Sequence, residues 1–344
     1  MPRDLRRGER QRVAGHRRGH RTGHRHHGGL RMSHETFELI DQIRRSGKRA
    51  VMATLVGTHG TTPRKEGTKM FVGEDGAIFG SVTIGGCVDA RVIERATEVL
   101  QSSRPSLLNM QLGDEDAWEI GLTCGGTIDV FIEPLNPSLY EIAKGRSIAI
   151  ATDVRSGSHA LIEPPDGRSR MLDDKIYLEV LRPPSTLFIF GAGAVAIPLV
   201  TFAKAVGFRA VIIDGRPRFA TRDRFPDADE IRVGIASELA EKIEFNAMTP
   251  VVLVAHDYKY EIPVLKRVLA TDAPYVGLLG SRRRGAAILK MLREDGVDEQ
   301  QLHRVRVPIG LDIGGETAAE IALSIVAQVV AVMHGRNGNP LHVR

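Results

Sequence analysis

Thr186-Leu187-Phe188-Ile189-Phe190-Gly191-Ala192-Gly193-Ala194-Val195-Ala196 is a short apolar run that ends in a Gly-Ala-Gly turn and leads into a helical segment. The next apolar run, Arg209 to Ile213, closes on Asp214, 23 residues beyond Gly191. Glycines there permit a tight turn and let a pyrophosphate approach backbone N–H groups at a helix N-terminus, while a carboxylate at Asp214 can accept from ribose hydroxyls. Further apolar strands at Val251 to Ala255 and Tyr275 to Leu279 are each followed by a helical segment, and a last long helix runs from about Glu316 to Met333. Pro198 fits a first helical turn, where its missing N–H has no intrahelical acceptor. Strands alternating with helices predict an α/β fold: a Rossmann-like, doubly wound parallel sheet over residues 183–336, with 337–344 as a tail. Whether the turn holds a dinucleotide, another phosphorylated ligand or nothing stays open at this point.

Upstream the texture changes. Residues 32–182 carry short β-rich runs (Ala50 to Val56, Thr68 to Val72, Ala77 to Val82, Leu107 to Leu112, Thr127 to Glu133, Ser147 to Asp153, His159 to Glu163) between Gly-rich turns. Two helices interrupt them: Glu35 to Arg45, with Ser33 as N-cap and Phe37, Ile40 and Ile43 on one face, and Val88 to Gln101, with Val88, Val92, Ala96 and Val99 at helical spacing. This predicts a smaller N-terminal α+β domain. The Pro-rich, charged stretch from Pro164-Pro165 to Pro183-Pro184 is the expected boundary region.

A composition of 42% apolar and 26% charged residues excludes collagenous, mucin-like and wholly disordered chains. The net charge of +5 is uneven: residues 1–31 hold ten Arg and five His against Asp4 and Glu9, a local +8, so the rest carries −3. A nucleic-acid footprint therefore has only this arm to reside in. The arm reads either as a disordered basic tail or as upstream sequence joined by a misassigned start, since Met32 can itself serve. It lacks the apolar stretch of a signal peptide, and the run from Ile321 to Met333 is too short to span a bilayer, so neither export nor a membrane helix is expected. Two cysteines, Cys87 and Cys124, exclude a disulfide framework and a four-thiolate zinc cage, and the default compartment is a reducing cytoplasm.

Several motifs carry chemistry. Gly280-Ser281-Arg282-Arg283-Arg284-Gly285 lies at a strand-to-helix junction, where a hydroxyl, a helix dipole and guanidinium groups suit an anion, or form a solvated basic turn. His256-Asp257 follows a strand on the same crevice side, either as site residues or as a cap for the next helix. Pro308-Ile309-Gly310-Leu311-Asp312-Ile313-Gly314-Gly315-Glu316-Thr317 either lines the crevice or shapes the entry to the last helix. Gly85-Gly86-Cys87 puts a thiol at a helix N-terminus, which lowers its pKa, and Cys124-Gly125-Gly126 precedes a strand of the same domain. The two thiols are candidates for a soft-ligand or sulfur-handling site, against the plainer reading of small residues in tight turns. Thr61-Thr62-Pro63-Arg64, with Lys65 and Gly67, joins two strands with cations and hydroxyls that suit an anionic ligand.

Taken in order, Thr61-Thr62-Pro63-Arg64, Gly85-Gly86-Cys87-Val88-Asp89, Cys124-Gly125-Gly126, Phe190-Gly191-Ala192-Gly193, His256-Asp257, Gly280-Ser281-Arg282-Arg283 and Pro308 to Gly314 resemble the XdhC/CoxI family of molybdoenzyme accessory proteins. Ala194 and Thr83-Ile84 depart from its usual pattern. The resemblance implies a carrier rather than a catalyst: binding of the molybdenum cofactor, its sulfuration with a cysteine desulfurase, delivery to an apo molybdenum hydroxylase of the xanthine dehydrogenase or CO dehydrogenase type, and a homodimer. Gly191, Gly193, Asp214, Ser281, Arg282, Arg283 and Arg64 are then the expected cofactor-binding residues. Cys87 and Cys124 are expected to face sulfur or metal, Cys87 as a soft ligand and not part of a protein metal cage, and His256 and Asp257, on the crevice side of the Rossmann sheet, complete the candidate catalytic set. The alternative is an NAD(P)-dependent oxidoreductase built on the same glycine turn.

Overall fold

The computed structural model describes residues 34–60, 62, 64–83, 87–112, 126–142, 146–165, 169–255 and 257–340, with the backbone alone at 34, 35 and 87. Residues 1–33, among them the basic arm and Ser33, lie outside it, as do Cys124, His256, Gly85-Gly86, Thr61, Pro63 and the last four residues.

The chain opens with α1 (His34–Ser46) and then β1 (Ala50–Gly60), β2 (Lys69–Gly73), β3 (Ile78–Gly80), α2 (Cys87–Ser102), β4 (Ser106–Leu112), β5 (Gly126–Pro134) and α3 (Pro137–Glu141). The five strands form one sheet in the order β3-β2-β1-β5-β4, antiparallel throughout. β1 is apolar along most of its length because both of its faces are covered. Val51, Ala53 and Leu55 pack with Val92, Ala96 and Val99 of α2, while Met52 and Val56 point to a second sheet.

That second sheet consists of β6 (Ile148–Asp153), β7 (His159–Ile162), β8 (Arg170–Met171) and β9 (Ile176–Leu181), in the order β7-β6-β9-β8. β8 and β9 fall inside the Pro-rich stretch expected to be a boundary. Proline and charge at its ends conceal Ile176-Tyr177-Leu178-Glu179-Val180-Leu181, which supplies a central strand.

A polar network is sealed between the two sheets. Lys69 Nζ pairs with Glu179 Oε1 at 2.9 Å and donates to Thr54 Oγ1 at 3.0 Å, and the Tyr140 hydroxyl donates to Glu179 Oε2 at 3.1 Å. Nearby, His159 Nε2 lies 2.9 Å from Glu133 Oε2, with Thr152 Oγ1 3.1 Å from Nδ1. Glu133 raises the His159 pKa above 6.5 against the opposing pull of burial. A raised folded-state pKa contributes stability that is complete below the unfolded value and is lost as pH rises through the folded one. The thermal midpoint advantage of the wild type over His159→Gln should thus be largest near about pH 6 and shrink steadily above it. An advantage that grows between about pH 6 and 8 would reverse the assigned sign.

After Leu181 the chain enters β10 (Thr186–Phe190), α4 (Ala196–Ala205), β11 (Arg209–Asp214), β12 (Glu230–Val233), α5 (Ala236–Glu241), β13 (Val251–Leu253), α6 (Tyr258–Leu269), β14 (Val276–Leu278), α7 (Arg282–Glu294), α8 (Glu299–Leu302), β15 (Val305–Arg306) and α9 (Ala318–Met333). The strands are all parallel, ordered β12-β11-β10-β13-β14-β15. Counted from β10 this is the 3-2-1-4-5-6 order of the Rossmann fold, in which ligands bind at the reversal between the first and fourth strands. Alternate residues of β10 serve opposite cores: Leu187 and Ile189 pack with α4 and α9, Phe188 and Phe190 with α5 and α6. α9 starts at Ala318 and not at Glu316, because Thr317 caps it in a reciprocal box with Glu320. Among the described residues no helix is long and apolar enough to cross a membrane.

Candidate functional site

The reversal point is built from two touching loops. β10 is followed directly by Gly191, whose φ of +115° bends the chain over β13, and a Cβ there would lie 2.8 Å from Ala255 N and 2.9 Å from the Val254 carbonyl carbon. Gly191, and not Gly193, is the left-handed residue that the turn requires. A Cβ on Gly193 would meet only Val254 O, at 3.9 Å, so that side of the turn faces open space. α4 begins directly beyond, and its N-cap position, Val195, offers no side-chain hydrogen bond. Ala196 N already donates to Gly193 O at 3.2 Å and Pro198 carries no N–H, so an anion here would draw on the other backbone N–H groups of the turn.

Asp214 stands beside this turn at the end of β11. Its Oδ2 accepts from Ala192 N at 2.7 Å and from Arg216 Nη2 at 2.7 Å, and its Oδ1 from Arg216 N at 2.8 Å and Nε at 2.9 Å. Burial pushes the carboxyl up, but these donors outweigh it and hold the pKa below the ordinary value. The acceptor capacity expected for a ribose is thus taken up within the chain. Arg216 lies over the Phe219 ring at 4.1 Å, and Arg224 reaches back to the carbonyl oxygen of Ala192 at 3.0 Å. Arg216, Phe219 and Arg224 escape a motif search, although a cation two residues past the acidic strand end is a usable signal.

On the other side of the reversal, Asp257 accepts from Lys259 N at 3.0 Å and caps α6, which realises its plainer reading. One strand further out, Ser281 caps α7 by accepting from Arg284 N. The three arginines of this motif are not equivalent. Arg284 turns inward, donates to Leu279 O at 3.0 Å and pairs with Glu261 Oε2. Glu261 is 1% exposed and its Oε1 has no partner among the described residues; burial raises its pKa despite Arg284. Arg282 and Arg283 remain exposed at the helix start, and among the described residues no hydrogen bond or ion pair engages their guanidinium groups. The motif from Pro308 to Thr317 chiefly shapes the fold, since Ile309 enters the core and the Gln328 amide holds the Gly310 peptide through two bonds of 3.0 Å.

In the N-terminal domain Cys87 opens α2, as expected, and Arg64 is brought to the same end. Arg64 Nε donates to Thr83 O at 2.9 Å, and the Thr83 hydroxyl donates to Asp89 in the first turn of α2. Arg64 thus ties Thr83 to the N-terminal end of α2. Among the described residues no group of three metal-ligating side chains converges.

Comparison with known proteins agrees with this architecture. A family model described as the XdhC and CoxI family matches residues 43–111, and one described as the XdhC Rossmann domain matches 187–329. The chain is 25% identical over 324 residues to a Bacillus subtilis protein named as a probable xanthine dehydrogenase subunit, covering 85% of this chain and 96% of that one. It is 29% identical over 295 residues to the molybdenum cofactor insertion chaperone PaoD of Escherichia coli, covering 83% and 84%. A crystal structure described as a xanthine dehydrogenase from Bacillus halodurans superimposes with a TM-score of 0.76 at 28% identity, covering 88% of this chain and 96% of that one.

Proposed function

Since this chain belongs to the XdhC and CoxI family, we propose that it is an accessory protein that binds the molybdenum cofactor as cargo, supports its sulfuration and delivers it to an apo molybdenum hydroxylase. The observation that carries this reading is the start of α4 above Gly193, which has no side-chain cap and has open space beside it, together with Arg282 and Arg283 exposed at the start of α7, which follows another strand of the same parallel sheet. Such a surface suits the cofactor's terminal phosphate, which takes its hydrogen bonds from backbone N–H groups and guanidinium forks.

In this reading Gly191 shapes the turn, Gly193 leaves room for the ligand, Ser281 fixes the start of α7, and Arg282 and Arg283 supply charge. Asp214 supports the turn through Ala192 N and does not contact the ligand. Cys87, at the helix N-terminus where a thiolate is favoured, and Cys124 are the residues assigned to the sulfur and metal end of the cofactor. His256 and Asp257 are crevice candidates from their place in the sequence after β13. The bound cofactor supplies the chemistry; the chain supplies its binding and orientation. The domains are taken as 32–182 and 183–336, with a cysteine desulfurase and the apo hydroxylase as partners, a homodimeric state and a cytoplasmic location.

The test uses activation of an apo xanthine dehydrogenase-type enzyme by the cofactor-loaded chain. Arg282→Ala with Arg283→Ala should weaken cofactor retention by roughly 2 to 4 kcal/mol, from charge-assisted bonds at about 1.5 to 3 each with allowance for non-additivity. Activation should fall accordingly while the thermal midpoint of the empty protein scarcely moves, because both side chains are exposed. Equal activation by the double variant removes these arginines from the site.

A further inference from the structure

An ionised carboxylate offers about four lone-pair positions. At Asp214 four donors already occupy the two oxygens: Ala192 N and Arg216 Nη2 on Oδ2, Arg216 N and Nε on Oδ1. The guanidinium meets the carboxylate edge to edge, in the paired geometry that makes such contacts strong and directional. Phe219 lies against the face of this guanidinium at 4.1 Å and also stacks with Arg224, at 5.0 Å. Arg224 in turn donates to Ala192 O and Phe219 O, so the turn and the residues following β11 are locked together.

We propose that Arg216 is a specificity-determining residue of the crevice: its guanidinium takes the seat at Asp214 that a ribose diol would use, and so closes the site to nicotinamide dinucleotides. This rests on the reading of the glycine turn as a ligand crevice. A diol reaching Asp214 must displace charge-assisted bonds and strip Arg216 of its partner, so the arrangement selects by opposing the wrong ligand. The open side at Gly193 is untouched, and a ligand that needs no hydrogen bond to Asp214 is not penalised.

The experiment is a fluorescence titration of the full chain with NADH and with NADPH. The wild type should show no saturation up to about 1 mM of either. Arg216→Ala should bind NADH at least about tenfold more tightly than the wild type, and adding Asp214→Asn should remove that gain. Arg216 is half exposed, so the variant should fold; Arg216→Met, which keeps the stem over Phe219, serves as the second variant. Saturable dinucleotide binding by the wild type overturns the proposal. So does the absence of any gain in both folded variants, or a gain that survives Asp214→Asn. Pterin retained without a gain would refute only the role of Arg216, whereas a gain in a chain that never retains pterin would refute only the cargo reading.

Discussion

Replacing Gly191 by valine should lower the thermal midpoint by roughly 10 °C or leave no soluble protein, a loss of about 3 to 5 kcal/mol. Two costs combine. The φ of +115° is one that a β-branched residue resists, and the new Cβ would sit within 2.9 Å of backbone atoms of Val254 and Ala255. Backbone cannot step aside as a flexible side chain can, so β13 would have to move away from β10. A midpoint within about 2 °C of the wild type would show that the turn is not the rigid joint described.

The second large effect lies in the other half of the chain. Lys69→Met alone leaves Glu179 buried without its cation, and should cost about 3 to 5 kcal/mol in denaturant unfolding. Joining it to Glu179→Leu should recover most of that loss, because a buried ion pair replaced by apolar groups of similar volume is often neutral. The coupling between the two sites should therefore be strongly favourable to the double variant. A single variant within about 0.5 kcal/mol of the wild type would mean that water reaches the pair.

Much of the parallel-sheet half is legible in the sequence, because its strands are buried on both faces and read as unbroken apolar runs between glycine-rich turns. The run Thr186 to Phe190 matches β10 to the residue, and Arg209 to Asp214 matches β11 nearly as well. β9 escapes such a reading, since its Glu179 serves the buried network and Pro183-Pro184 follows directly. At the site, the glycine turn, Asp214 and the arginine-rich junction stand out from sequence. That Gly191 carries the positive φ and Gly193 the open space does not, because it depends on how closely β13 approaches. Nor does the filling of Asp214 by Arg216, or the drawing of Arg284 alone of three adjacent arginines to Glu261. Those are contacts between side chains and elements that spacing does not specify, and side chains of one kind in a row look alike until a partner on another helix distinguishes them.

We propose that the crevice above Gly193 carries the molybdenum cofactor. The most direct measurement is mass spectrometry of the small molecules released on denaturing the full chain, purified from a bacterial host able to make that cofactor, beside Gly193→Val. A Cβ at this position meets nothing closer than 3.9 Å, so circular dichroism of the variant should match the wild type. The wild type should release the pterin cofactor or its oxidised products, and the variant at least about tenfold less. Release of a nicotinamide dinucleotide from the wild type, or equal pterin from a folded Gly193→Val, would contradict the account.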